Sequence, residues 1–85
     1  MVIINSKIIK AVVTLGNYIY AIGGLLNNEY LKTVERYDVL NDKWEFVASM
    51  KYKRDWPKAV VYDKKIYVIG KKFFFVFEIF DQKFL

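Results

Sequence analysis

The stretch Ile19-Tyr20-Ala21-Ile22-Gly23-Gly24 decides the fold, because it occurs a second time, with the alanine and the last glycine changed, as Ile66-Tyr67-Val68-Ile69-Gly70-Lys71. A run of β-branched and aromatic residues that stops on paired glycines is typical of a β-strand with a defined end. Two such runs at nearly constant spacing predict a repeat, and a repeat largely determines the architecture.

Four short strands are predicted around the first copy. Residues 11–15 and 18–23 flank Gly16-Asn17, a dipeptide typical of a two-residue hairpin turn, and are therefore expected to pair in an antiparallel manner. A polar loop is expected at residues 25–32, a third strand at 33–39, a turn at 40–43 and a fourth strand at 44–48. Residues 49–57 are expected to form a loop. The pattern predicts a four-stranded meander sheet.

The pattern restarts after residue 57. Ala59-Val60-Val61 matches Ala11-Val12-Val13 at an offset of 48 residues, whereas Ile66–Gly70 matches the second strand at an offset of 47. This difference predicts that one residue is lost in the turn, where Asp63-Lys64 replaces Gly16-Asn17.

The second copy is shorter than the first. Residues 73–77 and 78–81 are candidates for its third strand, since Glu78-Ile79-Phe80-Asp81 matches Glu35-Arg36-Tyr37-Asp38 at an offset of 43 residues. No second tryptophan landmark or fourth strand follows. We therefore divide the chain into residues 1–10, a remnant of a preceding segment, residues 11–57, a full repeat, and residues 58–85, a partial and degenerate repeat.

Composition argues against catalysis. The 85 residues include no cysteine and no histidine, which removes disulfides, thiolate metal sites and the commonest general base. Ser6, Ser49, Thr14 and Thr33 consequently lack a histidine to activate them. We expect no enzymatic activity, no cofactor and no metal. The lack of cysteine favours an intracellular location, and no stretch resembles a membrane-spanning helix.

A nucleic-acid-binding domain is the alternative from another class. The net charge is +5, from 14 basic and 9 acidic residues. Residues 72–77, Lys-Phe-Phe-Phe-Val-Phe, have the composition of an aromatic surface on which bases stack. The glycines of that signature are missing, no helix is apparent, and the lysines are scattered. Binding to DNA or RNA with a steep salt dependence would favour this interpretation.

The landmarks of the first copy resemble the kelch repeat. They are an Ala-Val-Val strand, Ile19 to Gly24, the segment Val34-Glu35-Arg36-Tyr37-Asp38, and Trp44 seven residues after Tyr37. Residues 50–54 resemble the segment that joins one kelch repeat to the next. The lysine- and isoleucine-rich composition is similar to that of the kelch-like proteins of poxviruses.

This resemblance implies an all-β fold, a kelch-type β-propeller fragment with one four-stranded antiparallel blade and a partial second blade. The first strand of a blade lies nearest the propeller axis, and both its faces should be apolar and covered by neighbouring blades. Gly23 and Gly24 would allow close approach of the backbone, with Gly70 as the equivalent in the second copy. Tyr37 and Trp44 would fill the space between blades.

The resemblance also implies a protein–protein interaction module that recognises an unidentified protein partner through loops. The matching positions are Asn27, Asn28, Glu29 and Tyr30 after the double glycine, and Tyr52, Arg54 and Trp56 in the loop between repeats. Ordinary solvated loops are the alternative interpretation of these residues. No membrane partner is expected, and open blade faces could support self-association.

Kelch-like proteins often act as substrate adaptors of cullin-based ubiquitin ligases. We hypothesise that this chain is a remnant of such an adaptor with little autonomous activity, truncated by a frameshift near residues 70–72. Repeat arrays need about three units for stability, so the chain is expected to be marginally stable alone.

Overall fold

The structure is a computed structural model that describes residues 2–4, 7–9, 11–53, 55–71 and 75–81. All regular elements in these ranges are β-strands, and they form three antiparallel sheets. In chain order the strands are β1 (Val2–Ile4), β2 (Lys7–Ile9), β3 (Ala11–Leu15), β4 (Tyr18–Ile22), β5 (Leu25–Leu26), β6 (Glu29–Tyr30), β7 (Val34–Asp38), β8 (Lys43–Phe46), β9 (Asp55–Tyr62), β10 (Lys65–Lys71) and β11 (Phe75–Asp81).

The first blade is the sheet β3-β4-β7-β8, in which each strand pairs with its neighbour in sequence. This is the predicted meander. Leu15 pairs with Tyr18 across the Gly16-Asn17 turn, so two residues connect β3 and β4. Gly16 has a φ of 60°, the positive value that tight hairpin turns of this kind require and that glycine adopts without steric cost.

The second blade is the sheet β11-β10-β9, and its first hairpin repeats the register of the first blade. Tyr20 pairs with Val13 in the first blade, and Tyr67 pairs with Val60 in the second, 47 residues later in both strands. Both turns contain two residues. The expected loss of a residue in the turn is therefore wrong, because the Ala-Val-Val match at an offset of 48 is one residue out of structural register.

The third strand of the second blade is confirmed as one continuous strand, β11. Ile79 pairs with Tyr67 as Arg36 pairs with Tyr20, which preserves the offset of 43 residues between the third strands. Residues 72–74, which include part of the aromatic run, lie outside the described residues.

The core lies between the two blades, which approach each other most closely at their first strands, β3 and β9. Ile66 and Val68 of the second blade are 1% and 0% exposed, and they cluster with Tyr20 and Ile22 of the first blade. Their equivalents in the first blade, Ile19 and Ala21, lie on the face of that blade that points away from the second blade. The blades therefore stack front to back, as successive blades of a propeller do.

We call the two faces that meet in the core the inner faces, and the other two the outer faces. The buried cluster consists of Ala11, Tyr20, Ile22, Val34, Met50, Ile66 and Val68. Val12 alternates with Ala11 along β3 and is 42% exposed on the outer face of the first blade. Each blade has one neighbouring blade in this structure, so the other face of each first strand is open, in line with the open blade faces that the sequence analysis expects.

The third sheet replaces a predicted loop. Residues 25–32 were expected to be irregular, but β5 and β6 form a hairpin. Ile8 of β2 pairs with Leu25, which joins this hairpin to the β1–β2 hairpin in the order β1-β2-β5-β6. Two short hairpins thereby gain the partners that a single two-stranded hairpin needs for stability.

Two further expectations are corrected in the second blade. The loop predicted at residues 49–57 ends earlier, because β9 begins at Asp55 and includes Trp56. Gly70 does not end a strand, since β10 continues to Lys71 and the described glycines with positive φ are Gly16, Gly23 and Gly24. The register of β9 against β10 shifts between Ile69 and Lys71, next to Pro57, which has no N–H for the ladder.

Candidate functional site

Gly23 and Gly24 organise one end of the first blade, which we call the glycine end. Gly23 has a φ of 64° and its N–H donates to the carbonyl of Thr33 at 2.8 Å. The N–H of Leu31 donates to the carbonyl of Gly24 at 2.9 Å. These two bonds close the base of the β5–β6 hairpin, so the double glycine turns the chain out of the blade and fixes where the hairpin starts.

The glycine pair also permits close packing, as the resemblance implied. A Cβ at Gly24 would stand 2.7 Å from the carbonyl oxygen of Ile8 and 3.0 Å from Cδ1 of Ile9. A Cβ at Gly23 would stand 3.1 Å from Cε of Met50. Gly24 therefore lets the β1–β2 hairpin lie against the backbone of the first blade.

The tip of the β5–β6 hairpin carries the first group of predicted binding residues. Asn27 and Asn28 have φ values of 50° and 64°, a conformation that asparagine tolerates better than most residues. Asn27, Asn28 and Glu29 are exposed, and Tyr30 is half-buried. A tight turn thus presents two amides and a carboxylate to solvent from a paired scaffold.

The segment that joins the blades brings the second group to the same end. The N–H of Met50 donates to the carbonyl of Lys32 at 2.7 Å, and its side chain is 2% exposed within the core. Tyr52 is half-buried, with Nζ of Lys51 5.6 Å from the centre of its ring. Met50 therefore anchors this segment beside the base of the β5–β6 hairpin.

The remaining two predicted binding residues are not part of the described site. Arg54 lies outside the described residues, and Trp56 is on β9, a strand rather than the predicted loop, with its side chain undescribed. The glycine end instead carries exposed Lys32, Lys51 and Lys53. This part of the chain consequently presents positive charge next to Tyr52, a feature that the sequence pattern had not singled out.

Tyr37 and Trp44 do not lie between the two described blades. They pair across β7 and β8 on the outer face of the first blade, where their ring centroids are 5.4 Å apart. Trp44 is 38% exposed. That they fill the space between blades stays a prediction, because it concerns a blade packed on the outer face. Between the two described blades, Met50 enters the shared core.

A buried ion pair ties the β1–β2 hairpin to the outer face of the first blade. Nζ of Lys7 donates to Oε2 of Glu35 at 2.9 Å, and the two side chains are 12% and 7% exposed. The same ammonium lies 4.9 Å from the ring centre of Phe46. Sequence reasoning missed this contact, because Lys7 and Glu35 are 28 residues apart and carry no local signal.

A second cross-strand network lies on the inner face of the first blade. Nε of Arg36 donates to Oε1 of Glu45 at 2.6 Å, and the guanidinium carbon lies 4.0 Å from the ring centre of Tyr18. The side chain of Arg36 is 14% exposed. Pairing of Arg36 with Glu45 in the ladder explains why these charges face each other, and the network is structural rather than a catalytic constellation.

The opposite end of the first blade, the turn end, is held by Asp38. Its Oδ1 accepts hydrogen bonds from the backbone N–H groups of Leu40 and Asn41, both at 3.1 Å, and its Oδ2 accepts one from the Asn41 amide at 2.7 Å. The Asn41 side chain and these N–H groups hold the pKa of Asp38 below its ordinary value. The Tyr37 hydroxyl donates to Asp42, and that bond raises the pKa of Tyr37.

Among the residues that the structure describes, no group of His, Asp, Glu or Cys side chains is arranged to hold a metal ion. The described residues also include no helix long and apolar enough to cross a membrane. The glycine end is a surface built from the β5–β6 hairpin and the segment between blades.

The geometry defines the class of the protein. A four-stranded meander with a second, front-to-back sheet of the same register, joined at the first strands, is part of a β-propeller.

Comparison with known proteins gives the family. Residues 10–51 match the Kelch motif. The chain is 38% identical over 60 residues to Kelch-like protein 15 of Danio rerio and 37% identical to that of Homo sapiens, which covers 71% of this chain and 10% of each relative. It is 39% identical over 56 residues to Kelch repeat protein C2 of Cowpox virus, covering 66% of this chain and 11% of that protein. The chain belongs to the kelch-repeat proteins.

Proposed function

We propose that the chain binds a protein partner through its glycine end. Kelch repeats are non-enzymatic protein–protein interaction motifs, and the matched stretch spans about a tenth of the curated relatives. The observation that supports this surface is the hydrogen bond from Met50 to Lys32, which holds both predicted binding segments together at one end of the blade. Loops on a rigid scaffold are where proteins commonly place recognition residues.

The charge of the glycine end favours an acidic partner surface. Lys32, Lys51 and Lys53 are exposed there, next to the half-buried ring of Tyr52. Positive side chains steer a carboxylate-rich surface toward the site, while an aromatic ring with a polar tip supplies contact area. The tip residues Asn27, Asn28 and Glu29 add hydrogen-bonding groups at the rim.

A matched pair of charge reversals tests this proposal. Lys32→Glu with Lys53→Glu alters the glycine end. Lys43→Glu with Lys64→Glu makes the same change of charge at the first residue of β8 and in the turn between β9 and β10, where both lysines are exposed. A partner captured from cell extract and then purified should bind the first variant at least about tenfold more weakly and the second almost normally. Equal loss in both variants would show that only overall charge matters.

The wider role that we propose is participation in a kelch-like substrate adaptor of a cullin-based ubiquitin ligase, in the cytoplasm, with this chain contributing substrate binding only. The similarity to Kelch-like protein 15 and to a poxvirus kelch repeat protein supports this role. Purified chain should fail to bind a cullin directly while still binding its partner. Direct binding of a cullin to the chain alone would contradict this division of labour.

A further inference from the structure

Each blade leaves one apolar face open. On the outer face of the first blade Val12, Trp44 and Phe46 are 42%, 38% and 63% exposed. On the outer face of the second blade Val60 and Tyr62 are 59% and 72% exposed. Large apolar side chains grouped on a sheet face mark an interaction surface more often than a solvated one.

The interface between the blades is made by two inner faces. Each outer face carries, at equivalent positions of the repeat, apolar residues like those of the other blade's inner face. The inner face of the second blade includes Ala59, Ile66 and Val68. Their equivalents 47 residues earlier lie on the outer face of the first blade and are Val12, Ile19 and Ala21.

The same relation holds in the other direction. The inner face of the first blade includes Val13, Tyr20 and Ile22. Their equivalents 47 residues later lie on the outer face of the second blade and are Val60, Tyr67 and Ile69. The two outer faces thus carry the equivalents of both halves of the core, and on the first blade one of these equivalents, Ala21, is already buried.

We propose that copies of this chain associate head to tail, with the outer face of the second blade of one copy packed on the outer face of the first blade of the next. The interface between blades joins unlike faces, and the proposed contact continues it from one copy to another. Such a heterologous contact forms a ring if the rotation closes and an open chain of copies if it does not.

The β1–β2 hairpin limits where the contact can form on the first blade. Lys7 binds Glu35, and Ala21 is already 2% exposed, so this part of the outer face is covered within the chain. The exposed apolar side chains that remain are on the two edge strands, Val12 on β3 and Trp44 on β8. The apolar residues of these faces are different from the lysines of the glycine end, so separate variants test the association and the partner binding proposed above.

Two valine-to-lysine variants test the arrangement. Val12→Lys places a charge on the open part of the first blade's outer face, and Val60→Lys does so on that of the second blade. Val39→Lys is the matched control, because Val39 is 50% exposed in the turn after β7. Trp44→Glu and Tyr62→Glu provide a second variant for each face, so that misfolding of one variant can be recognised.

The measurement is mass by light scattering during gel filtration, with circular dichroism as the check of folding. The wild type and Val39→Lys should exceed the 10.1 kDa of one chain, and each face variant alone should be a monomer. An equimolar mixture of Val12→Lys and Val60→Lys should form a dimer, because each variant keeps one intact face. A monomeric wild type at about 1 mM, a mixture that remains monomeric, or a Val12→Lys variant that dimerises alone would overturn the proposal.

Discussion

Gly24 combines two constraints that a side chain cannot meet. Its φ is 114°, and a Cβ would stand 2.7 Å from the carbonyl oxygen of Ile8. Gly24→Ala should therefore lower the free energy of unfolding by about 1–3 kcal/mol, measured by urea denaturation. Gly16→Asn is the control, since Gly16 is exposed in a turn with a φ of 60° that asparagine tolerates. Equal losses in the two variants would contradict the close approach at Gly24.

Lys7 and Glu35 form an ion pair whose two side chains are both largely buried. Lys7→Met should destabilise the protein by about 3 kcal/mol, because it leaves the Glu35 carboxylate without its partner. The double variant Lys7→Met with Glu35→Leu should recover most of that loss, since apolar side chains of similar size can replace a buried pair. Thermal denaturation of the four proteins of this cycle gives the coupling, and additive losses would show that the pair is not formed.

Asp38 makes the stability of the turn end depend on pH. Its pKa is lowered from an ordinary value of 3.8 in the folded protein, chiefly by the hydrogen bond from Asn41. The contribution to stability is therefore complete above the unfolded pKa and is lost as pH falls through the lower, folded pKa. When the pH is lowered from neutral to below about 4, the free energy of unfolding should fall less for Asp38→Asn than for the wild type. Parallel pH profiles in acid denaturation experiments would contradict this.

At the scale of strands and sheets, two equivalent isoleucines have different surroundings. Ile66 is 1% exposed between the blades, whereas Ile19, 47 residues earlier, is half-buried on the outer face of the first blade. Ile66→Ala should cost about 2–4 kcal/mol of unfolding free energy, and Ile19→Ala about half as much, because only the first leaves a cavity in the core. Chemical denaturation measures the unfolding free energy of both variants. A larger loss for Ile19→Ala than for Ile66→Ala would mean that the outer face of the first blade, and not the inner face of the second, is the covered one.

Much of the strand order could be predicted from the sequence. The hairpin at Gly16-Asn17, the strands β3, β4, β7 and β8 and the offset of 43 residues to β11 follow from alternation, turn residues and repeat matching. These signals are local, so one sequence is enough to reveal them. The glycine pair and the kelch assignment followed from the same landmarks, and the Kelch motif match at residues 10–51 supports them.

The hairpin at residues 25–30 was missed for a physical reason. Asn27-Asn28 suits a tight turn with positive φ as well as it suits a loop, and two-residue strands have no periodicity to detect. The hairpin becomes stable only by pairing of Leu25 with Ile8, a contact that no local pattern contains. The Ala-Val-Val match gave the wrong offset for the first strands. Three identical residues align at an offset of 48, but the two-residue turns fix the strand pairing at an offset of 47.

At the scale of the whole molecule, sequence could predict two blades but not which faces meet. Alternation places Ile66 and Tyr67 on opposite faces of one strand, and either face is apolar enough to be buried. Only the packing shows that Ile66 faces the first blade, with Met50 in the shared core. The predicted binding residues depend on this arrangement, since Tyr52 lies on the segment between the blades.

The front-to-back stacking of the two blades is tested most directly by nuclear Overhauser effects from labelled isoleucine and valine methyl groups. The stacking predicts cross-peaks from the methyl groups of Ile66 and Val68 to the cluster that contains Tyr20 and Met50, and none from those of Ile19 to Met50. Recording the spectrum on the Val60→Lys variant restricts the signals to contacts within one chain. Cross-peaks to Met50 from Ile19, with none to Tyr20 or Met50 from Ile66 or Val68, would contradict the stacking.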